Sequence, residues 1–275
     1  MNIWRWIDTG AADGLTQMAI DCAMIEIASE IQQPTFRVYR WQPYCISLGY
    51  HQSLESIDIN FCKKEGIDVV RRPTGGRAVL HAEEVTYSIV IPRTSTFYSQ
   101  RIQTVYNQIG LGLVHSLRLL GVEAELQKGT VDLRDHYHRS ESVACFSSAS
   151  RYEVMVNNRK IIGSAQRHIS GNILQHGSIL SGREHSRLPD FLRHLSPQEK
   201  RKMRTMLQNK TVDIRQCLEH DVSYEEISRA LQLGMSEALS IRFEPACLTD
   251  AEMECAERMK PQQTVFSDHD EAVYV

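Results

Sequence analysis

The chain has 275 residues, a hydrophobic fraction of 42%, a charged fraction of 24% and a net charge of −3. These values are ordinary for a globular protein with a substantial core, and they exclude a global electrostatic attraction to nucleic acid or anionic membranes. The N-terminus has no basic stretch followed by an apolar run. The longest apolar stretches fall short of the roughly 20 residues that span a bilayer. We therefore expect a cytoplasmic protein without nucleic-acid or membrane partners.

In chain order, periodic apolar residues first predict an amphipathic helix over about 14–29. Alternating and β-rich runs predict strands at 36–41, 45–48, 68–70 and 85–91. Further helices are predicted at 54–65 and 102–120, and Gly66 and Gly121 stand where these two helices end. Helices and strands thus alternate through the first half of the chain.

The middle of the chain contains a long segment without periodicity. A strand is predicted at 124–127, and residues 128–148 then form a loop, which at this length is usually functional or disordered. Strands at 152–156 and 160–165 flank Asn157 and Asn158, a hairpin turn signal, and another strand covers 173–180.

After residue 182 only helices are predicted. Ser196, Ser223 and Thr249 each precede a glutamate by three residues, which is the capping-box pattern of a helix N-terminus. The interleaved elements predict an α/β catalytic domain over residues 1–182, followed by a helical C-terminal segment over 183–260. The polar residues 261–275 are expected to fray.

Segment 71–81 is the first candidate for chemistry. Gly75 and Gly76 let the backbone approach a ligand with free N–H groups, and three arginines add positive charge. Such a loop suits an anionic or carbonyl-bearing ligand, for example a phosphopantetheine arm. A tight turn with solvated arginines has the same pattern. The arginines are Arg71, Arg72 and Arg77.

Seven cysteines, an odd and scattered set without a CxxC pair, indicate reduced thiols rather than a disulfide framework or a metal site. Cys145 differs in lying at the end of the long loop, where a thiol is reachable. Reactivity requires a thiolate, and hence a nearby cation or helix N-terminus. Free cysteines are more often small buried side chains, so composition leaves every cysteine a candidate.

Lys160 begins a strand that continues with small and apolar residues, which leave room for a ligand. A lysine at the mouth of an apolar slot could lose its proton or bind a carbonyl oxygen. A lysine that protects a sheet edge gives the same pattern. His176 is a further candidate, although a histidine hydrogen-bonded to backbone beside Gly177 also fits.

Together these segments resemble the biotin/lipoate protein ligase and octanoyltransferase superfamily. Within it, the chain is most similar to the cysteine-dependent octanoyl-acyl carrier protein:protein octanoyltransferases that look like lipoate-protein ligase A. The resemblance spans essentially the whole chain, with four motifs in the family's order. One departure is Ala82, where ligase-like sequences often carry Asp after His81. The motifs cover residues 71–81, 144–146, 159–166 and 174–178.

The resemblance implies a mixed, largely antiparallel sheet flanked by helices, with an acyl slot beside the Gly-rich loop. It implies Cys145 as acyl acceptor and Lys160 as base or oxyanion partner, with no cofactor and no ATP. Octanoyl-acyl carrier protein would be the donor, and a lipoyl domain or the glycine-cleavage H protein the acceptor. The implied substrate-binding residues are Arg71, Arg72, Thr74, Gly75, Gly76, Arg77, Ala78, His81, Gly163, Ser164, Ala165, Gln166, His176 and Gly177.

Two other functions stay open at this point. An ATP-dependent lipoate-protein ligase would adenylate free lipoate or octanoate, with Lys160 on the acyl-adenylate and Cys145 incidental. A non-catalytic module that binds lipoyl domains is the third. Arg77 and the Ala144-Cys145-Phe146 motif favour the transferase.

Overall fold

The computed structural model describes residues 2–128 and 152–263, which form two sheets and their flanking helices. The strands are β1 Asn2–Ala12, β2 Thr35–Trp41, β3 Cys45–Leu48, β4 Asp68–Arg71, β5 Val79–His81, β6 Glu84–Ile91, β7 Glu125–Lys128, β8 Tyr152–Val156, β9 Arg159–Ile169, β10 Asn172–Leu180 and β11 Ile241–Pro245. The α-helices are α1 Gly14–Glu26, α2 Ala28–Ile31, α3 Ile59–Lys64, α4 Ile102–Leu119, α5 Pro197–Lys210, α6 Ile214–Leu218, α7 Tyr224–Leu239 and α8 Asp250–Met259.

The main sheet of the described chain has eight strands in the order β11-β1-β2-β6-β10-β9-β8-β7. β1 pairs in parallel with β11 and β2, whereas every other pairing is antiparallel. A small second sheet has the order β4-β3-β5. The predicted mixed, largely antiparallel sheet flanked by helices is confirmed.

Both faces of the main sheet are covered, as the alternation of side chains along a strand requires. On β6, Ile89 packs in the cluster formed with α4 and α7, and Val90 packs in the cluster formed with α1 and α8. The small sheet has its own core, in which Leu48 and Val69 meet Leu207 of α5. The second face therefore carries α1 and the small sheet side by side, and the cleft described below lies there.

Most predicted elements are observed within one or two residues of their expected bounds. Asn157 and Asn158 turn with φ of 49° and 60°, as their hairpin signal predicted. The helix predicted over 54–65 is instead a 3-10 turn, Leu54–Ser56, followed by α3. Asp58 caps α3 by accepting from the Phe61 N–H, which starts a new helix after the turn.

Strands β1, β5 and β11 were not predicted, and the expectation of only helices after residue 182 is wrong at β11. Each of these strands is stabilised by pairing with a distant partner; Trp4 of β1, for example, lies beside Phe243. The three capping boxes are confirmed with both hydrogen bonds in each. The domain boundary at residue 182 stays a prediction.

Two predicted segments fall on residues that are not described. They are the long loop after Lys128, which contains Cys145, and most of the predicted frayed tail; residues 260–263 of the chain form a 3-10 turn. Among the described helices, none combines the length and the apolar character needed to cross a bilayer.

Candidate active site

A cleft lies between the main sheet and the small sheet, and with the open solvent at its mouth it comprises about 380 Å³ of empty space. Few polar atoms are exposed to the cleft, because most of the polar side chains around it hydrogen-bond to one another. Several predicted substrate-binding residues line it: Arg72, His81, Gly163, Ser164, Ala165, His176 and Gly177.

One wall of the cleft is the antiparallel pair β9–β10. Gly163 lies opposite Ser178, Ser164 opposite Gly177, and Ala165 opposite His176. A Cβ added to Gly177 would lie 2.5 Å from the Gly163 carbonyl oxygen, so glycine is required there. The small residues that the sequence singled out therefore make a flat wall with room beside it.

The Gly-rich loop joins β4 to β5 at the mouth of the cleft. Gly75 and Gly76 are exposed, and Gly76 has φ of 99°, a conformation that favours glycine. The loop lies directly against the chain that follows β3. A Cβ on Gly49 would be 2.0 Å from the Gly76 carbonyl oxygen, and the Tyr50 N–H donates to Thr74 at 2.9 Å. Such close backbone contact gives the loop a defined shape.

Two of the three loop arginines hold this shape. Their guanidinium groups donate to main-chain carbonyl oxygens around the loop, and Arg72 is buried. The acceptors are Gly49, Tyr50 and Gln52 for Arg71, and Ser47, Gly75 and Arg77 for Arg72. Arg77 itself is half-buried and Ala78 is buried in the core of the small sheet. Contact of these residues with a ligand stays a prediction.

A buried hydrogen-bond chain ties the Gly-rich loop to α1. Thr74 Oγ1 lies 2.6 Å from His176 Nε2, and His176 Nδ1 lies 3.0 Å from Asp21 Oδ2. Arg37 Nη1 and the Tyr39 hydroxyl donate to the same carboxylate at 2.7 and 3.1 Å. Since a carboxylate only accepts, Nδ1 carries the proton and Thr74 donates to Nε2.

The charge states in this chain follow from burial and pairing. Burial would raise the pKa of Asp21, but the His176 hydrogen bond and the Arg37 charge outweigh it and lower that pKa. Burial lowers the pKa of His176 despite its bond to Asp21, so the ring is neutral at neutral pH. The chain is thus an ion pair, Asp21–Arg37, extended by a neutral histidine to the loop.

A second chain orients His81, next to the departure at Ala82. Nε2 of His81 lies 2.7 Å from Ser47 Oγ, and Nδ1 lies 2.8 Å from Glu84 Oε1. The ring also stacks on Trp41, with centroids 4.2 Å apart. Glu84 supplies the carboxylate that Ala82 cannot, so the orientation of His81 does not depend on an acidic residue at position 82.

Lys160 lies on β9, three residues before Gly163. Its side chain is 7% exposed, and Nζ donates to Glu153 Oε1 of β8 at 2.8 Å. Its carbonyl oxygen accepts from the Val212 N–H at 3.0 Å, so the C-terminal segment holds this end of β9. Gln166, on the same strand, has both side-chain polar atoms buried without a partner among the described residues.

Comparisons with known proteins give the family. The model of the lipoyl protein ligase A/B catalytic domain matches residues 13–236. Octanoyltransferase LipM of Kyrpidia tusciae is 38% identical over 94% of this chain and 95% of that protein. Octanoyltransferase LipM of Halalkalibacterium halodurans is 36% identical over 92% of each. A crystal structure of lipoate-protein ligase A bound with ATP is 25% identical, with a TM-score of 0.76 over 95% of both chains.

The chain belongs to the octanoyltransferases of the lipoyl protein ligase A/B family. The acyltransferase activity predicted from the sequence is therefore confirmed. Lipoate-protein ligase A, an enzyme of the alternative class, has the same fold. Cys145, the nucleophile that this family resemblance implies, lies outside the described residues.

The six described cysteines are poor alternatives for an octanoyltransferase nucleophile. Burial raises the pKa of Cys22 and Cys62 to about 12, and it also raises the pKa of Cys45 and Cys217. Cys255 is buried. Cys247 is exposed but follows β11, which three strands of the main sheet separate from β10.

Sequence reasoning missed the charged residues that orient the predicted ones. Three of them are buried and Glu153 is only 10% exposed at its side chain. Each contacts a residue of the predicted site or extends such a contact: Asp21, Arg37, Glu84 and Glu153. One signal was available, because Asp21 lies among the apolar residues of α1. A charged residue on an apolar helix surface needs a buried partner. The other three stand in strands, where nothing in the local pattern marks them.

Proposed function

We propose that the chain transfers octanoyl from octanoyl-acyl carrier protein to a lysine of a lipoyl domain or glycine-cleavage H protein, a step of lipoate biosynthesis. In the first half-reaction the Cys145 thiolate attacks the donor carbonyl carbon, the bond to the carrier sulfur breaks, and the departing thiolate takes a proton. In the second, the acceptor amine attacks the Cys145 thioester, an amide forms, and the amine loses a proton as the Cys145 thiol is restored.

The observation that carries this proposal is the apolar cleft between the Gly-rich loop and the β9–β10 wall. An eight-carbon acyl chain needs an apolar slot, while its thioester carbonyl needs polar groups at one end. Exposed Gly75 and Gly76 offer backbone N–H groups at the mouth, and buried Lys160 lies on the strand that forms the wall. The membership in the octanoyltransferases supports the same acyl group.

The choice of donor and acceptor follows from chemistry and family. A thioester is already activated, so the transfer needs no ATP. The matching family model is that of the lipoyl protein ligase A/B catalytic domain, which supports a lipoyl domain as acceptor. Among the described cysteines none combines exposure with proximity to the cleft, which supports Cys145 as the nucleophile.

Intact-mass spectrometry tests the nucleophile. After mixing with octanoyl-acyl carrier protein and no ATP, the wild-type chain should gain one octanoyl group. Cys145→Ala should gain none, and Cys145→Ser should react orders of magnitude more slowly, since an alkoxide is harder to form than a thiolate. Cys247→Ala, which removes an exposed thiol far from the cleft, is the matched control and should acylate normally. Normal acylation of Cys145→Ala would refute the proposed intermediate.

The requirement for ATP distinguishes this proposal from the ligase alternative, since the structure of lipoate-protein ligase A contains bound ATP. Modification of a lipoyl domain should occur from octanoyl-acyl carrier protein without ATP and Mg²⁺. It should be weak or absent from free octanoate or lipoate with ATP, because a carboxylate lacks a leaving group until it is adenylated. ATP-dependent modification from the free acid, with none from the carrier protein, would establish the ligase instead.

A further inference from the structure

Lys160 belongs to one of the motifs identified in the sequence, but Glu153, with which it forms an ion pair, lies outside all of them. The two side chains are 7% and 10% exposed, and Nζ and Oε1 are 2.8 Å apart. They lie on β8 and β9, whose pairing shifts register between Val154 and Met155. A β-bulge of this kind re-aims side chains and is frequent beside active sites. Here the register shift lies between Glu153 and Met155, the residue that pairs with Lys160.

The pairing bears on the protonation state in which Lys160 works. A carboxylate at hydrogen-bond distance favours the ammonium form, and burial makes loss of either charge alone costly. A lysine that acts as general base must be neutral, which Glu153 opposes. A lysine that donates hydrogen bonds to an oxyanion must be charged, which Glu153 supports.

We propose that Glu153 is a positioning residue that keeps Lys160 charged and aimed, so that Lys160 stabilises the oxyanion of acyl transfer rather than accepting a proton. This inference rests on the proposed function for the step itself. The bonds that form and break are those given above; Lys160 keeps its proton throughout, and Glu153 keeps its negative charge.

Other elements bring further titratable groups to this end of β9. On the C-terminal side, the segment that pairs with Lys160 at Thr211 is held by His185, whose Nε2 lies 2.9 Å from Thr211 Oγ1. Asp213 in that segment faces Arg183 and caps α6. In sequence, Lys210 directly precedes Thr211, Arg159 directly precedes Lys160 on β9, and Tyr152 directly precedes Glu153 on β8. Tyr106 of α4 donates to the Ser164 carbonyl further along β9. The variants below leave all of them unchanged, so a shift between variants reports on the pair.

The test is the pH dependence of single-turnover acylation by octanoyl-acyl carrier protein. In Glu153→Gln the ammonium loses its carboxylate, so the alkaline decline in rate should begin at lower pH than in wild type. The rate at neutral pH should fall about tenfold or more, against about 10²–10³ for outright loss of an oxyanion donor. KM for the donor should stay unchanged. A general base predicts the opposite, since Glu153→Gln would favour the neutral amine, and an equal or higher rate at neutral pH would overturn the proposal.

Lys160→Arg provides a second variant with a permanent charge. Its maximal rate should fall because the guanidinium differs in shape, but its alkaline decline should be absent. An alkaline decline like that of wild type would overturn the proposal. Glu125→Gln makes the same substitution on the neighbouring strand β7, at an exposed position, and should keep the wild-type profile.

A measurement without acyl transfer keeps this inference separate from the proposed function. The Lys160 side-chain resonance, assigned by its loss in Lys160→Arg, is titrated by NMR with ¹³C-labelled lysine. It should report an ammonium at pH 8 in wild type and lose its proton at lower pH in Glu153→Gln. A neutral Lys160 at pH 7.5 would overturn the inference. Failure of wild type to acylate would instead count against the proposed function.

Discussion

Asp21 and Arg37 form an ion pair in the centre of the molecule, and both side chains are fully buried. The pair connects α1 to β2, and through His176 it reaches Thr74 of the Gly-rich loop. Taking two charges out of water is costly, and good geometry compensates for this cost only while both partners are present. The shape of the loop at the cleft therefore depends on a residue of α1.

Asp21→Asn removes the charge but keeps the size of this side chain. Arg37 is then left as a buried, unpaired cation, and the free energy of unfolding should fall by about 3–5 kcal/mol. Urea denaturation followed by circular dichroism measures the loss. Asp221→Asn breaks an exposed pair with Arg215 and is the control, with no measurable change expected. Equal free energies of unfolding for the two variants would show that the buried pair stabilises the fold no more than the exposed one.

Helices α4 and α7 lie in close contact behind the main sheet. At Gly234 of α7 an added Cβ would be 2.5 Å from the Ser116 Cα and 2.7 Å from its backbone N. α4 in turn contacts the wall of the cleft, because the Tyr106 hydroxyl donates to the Ser164 carbonyl at 3.4 Å. The distance between the two helices therefore affects the support of β9.

Gly234→Ala should destabilise the protein by about 1–3 kcal/mol, because backbone atoms of α4 cannot move aside. This should hold although alanine has the better helix propensity by about 1 kcal/mol. Gly110→Ala in α4 is the matched control: its Cβ meets the end of the Leu126 side chain, at 2.8 Å, which can rotate away. Differential scanning calorimetry compares the two. A Gly234→Ala variant at least as stable as Gly110→Ala would contradict the close packing.

Buried titratable groups act together on the stability of the whole molecule. Burial lowers the pKa of His176 and of His185 from their ordinary value of 6.5. Asp21 and Glu252 also have lowered pKa values, because hydrogen bonds and arginine charges outweigh their burial. Glu252 pairs with Arg5 and so joins the last helix to the first strand.

The sign of the pH effect is the same for all four groups. Below pH 6.5 these histidines bind protons in the unfolded chain but stay neutral in the folded protein until a lower pH. The free energy of unfolding should therefore fall as pH drops. The slope should reach at most about 1.4 kcal/mol per pH unit for each histidine. The carboxylates add a further loss at more acidic pH. Urea midpoints at pH 7.5, 6 and 5, at constant salt, measure this, and His176→Gln should reduce the slope. Equal midpoints at pH 7.5 and 5 would contradict it.

The sequence by itself determined the elements that depend on local interactions. The capping boxes at Ser196, Ser223 and Thr249 and the turn at Asn157 and Asn158 were predictable, since every interaction that forms them spans a few residues. The Gly-rich loop and the small residues of β9 were predictable as motifs. Their meeting along one cleft was implied by family resemblance and not by their own pattern.

Only the tertiary structure decided which side chains orient those motifs. Asp21 and His176 are 155 residues apart, and β1 finds its partner β11 at the other end of the chain. Glu153 is only seven residues from Lys160, yet the register shift between them is not encoded in any periodicity. Burial creates these pairings: a charge removed from water must find a partner, and which partner is near is known only when the chain has folded.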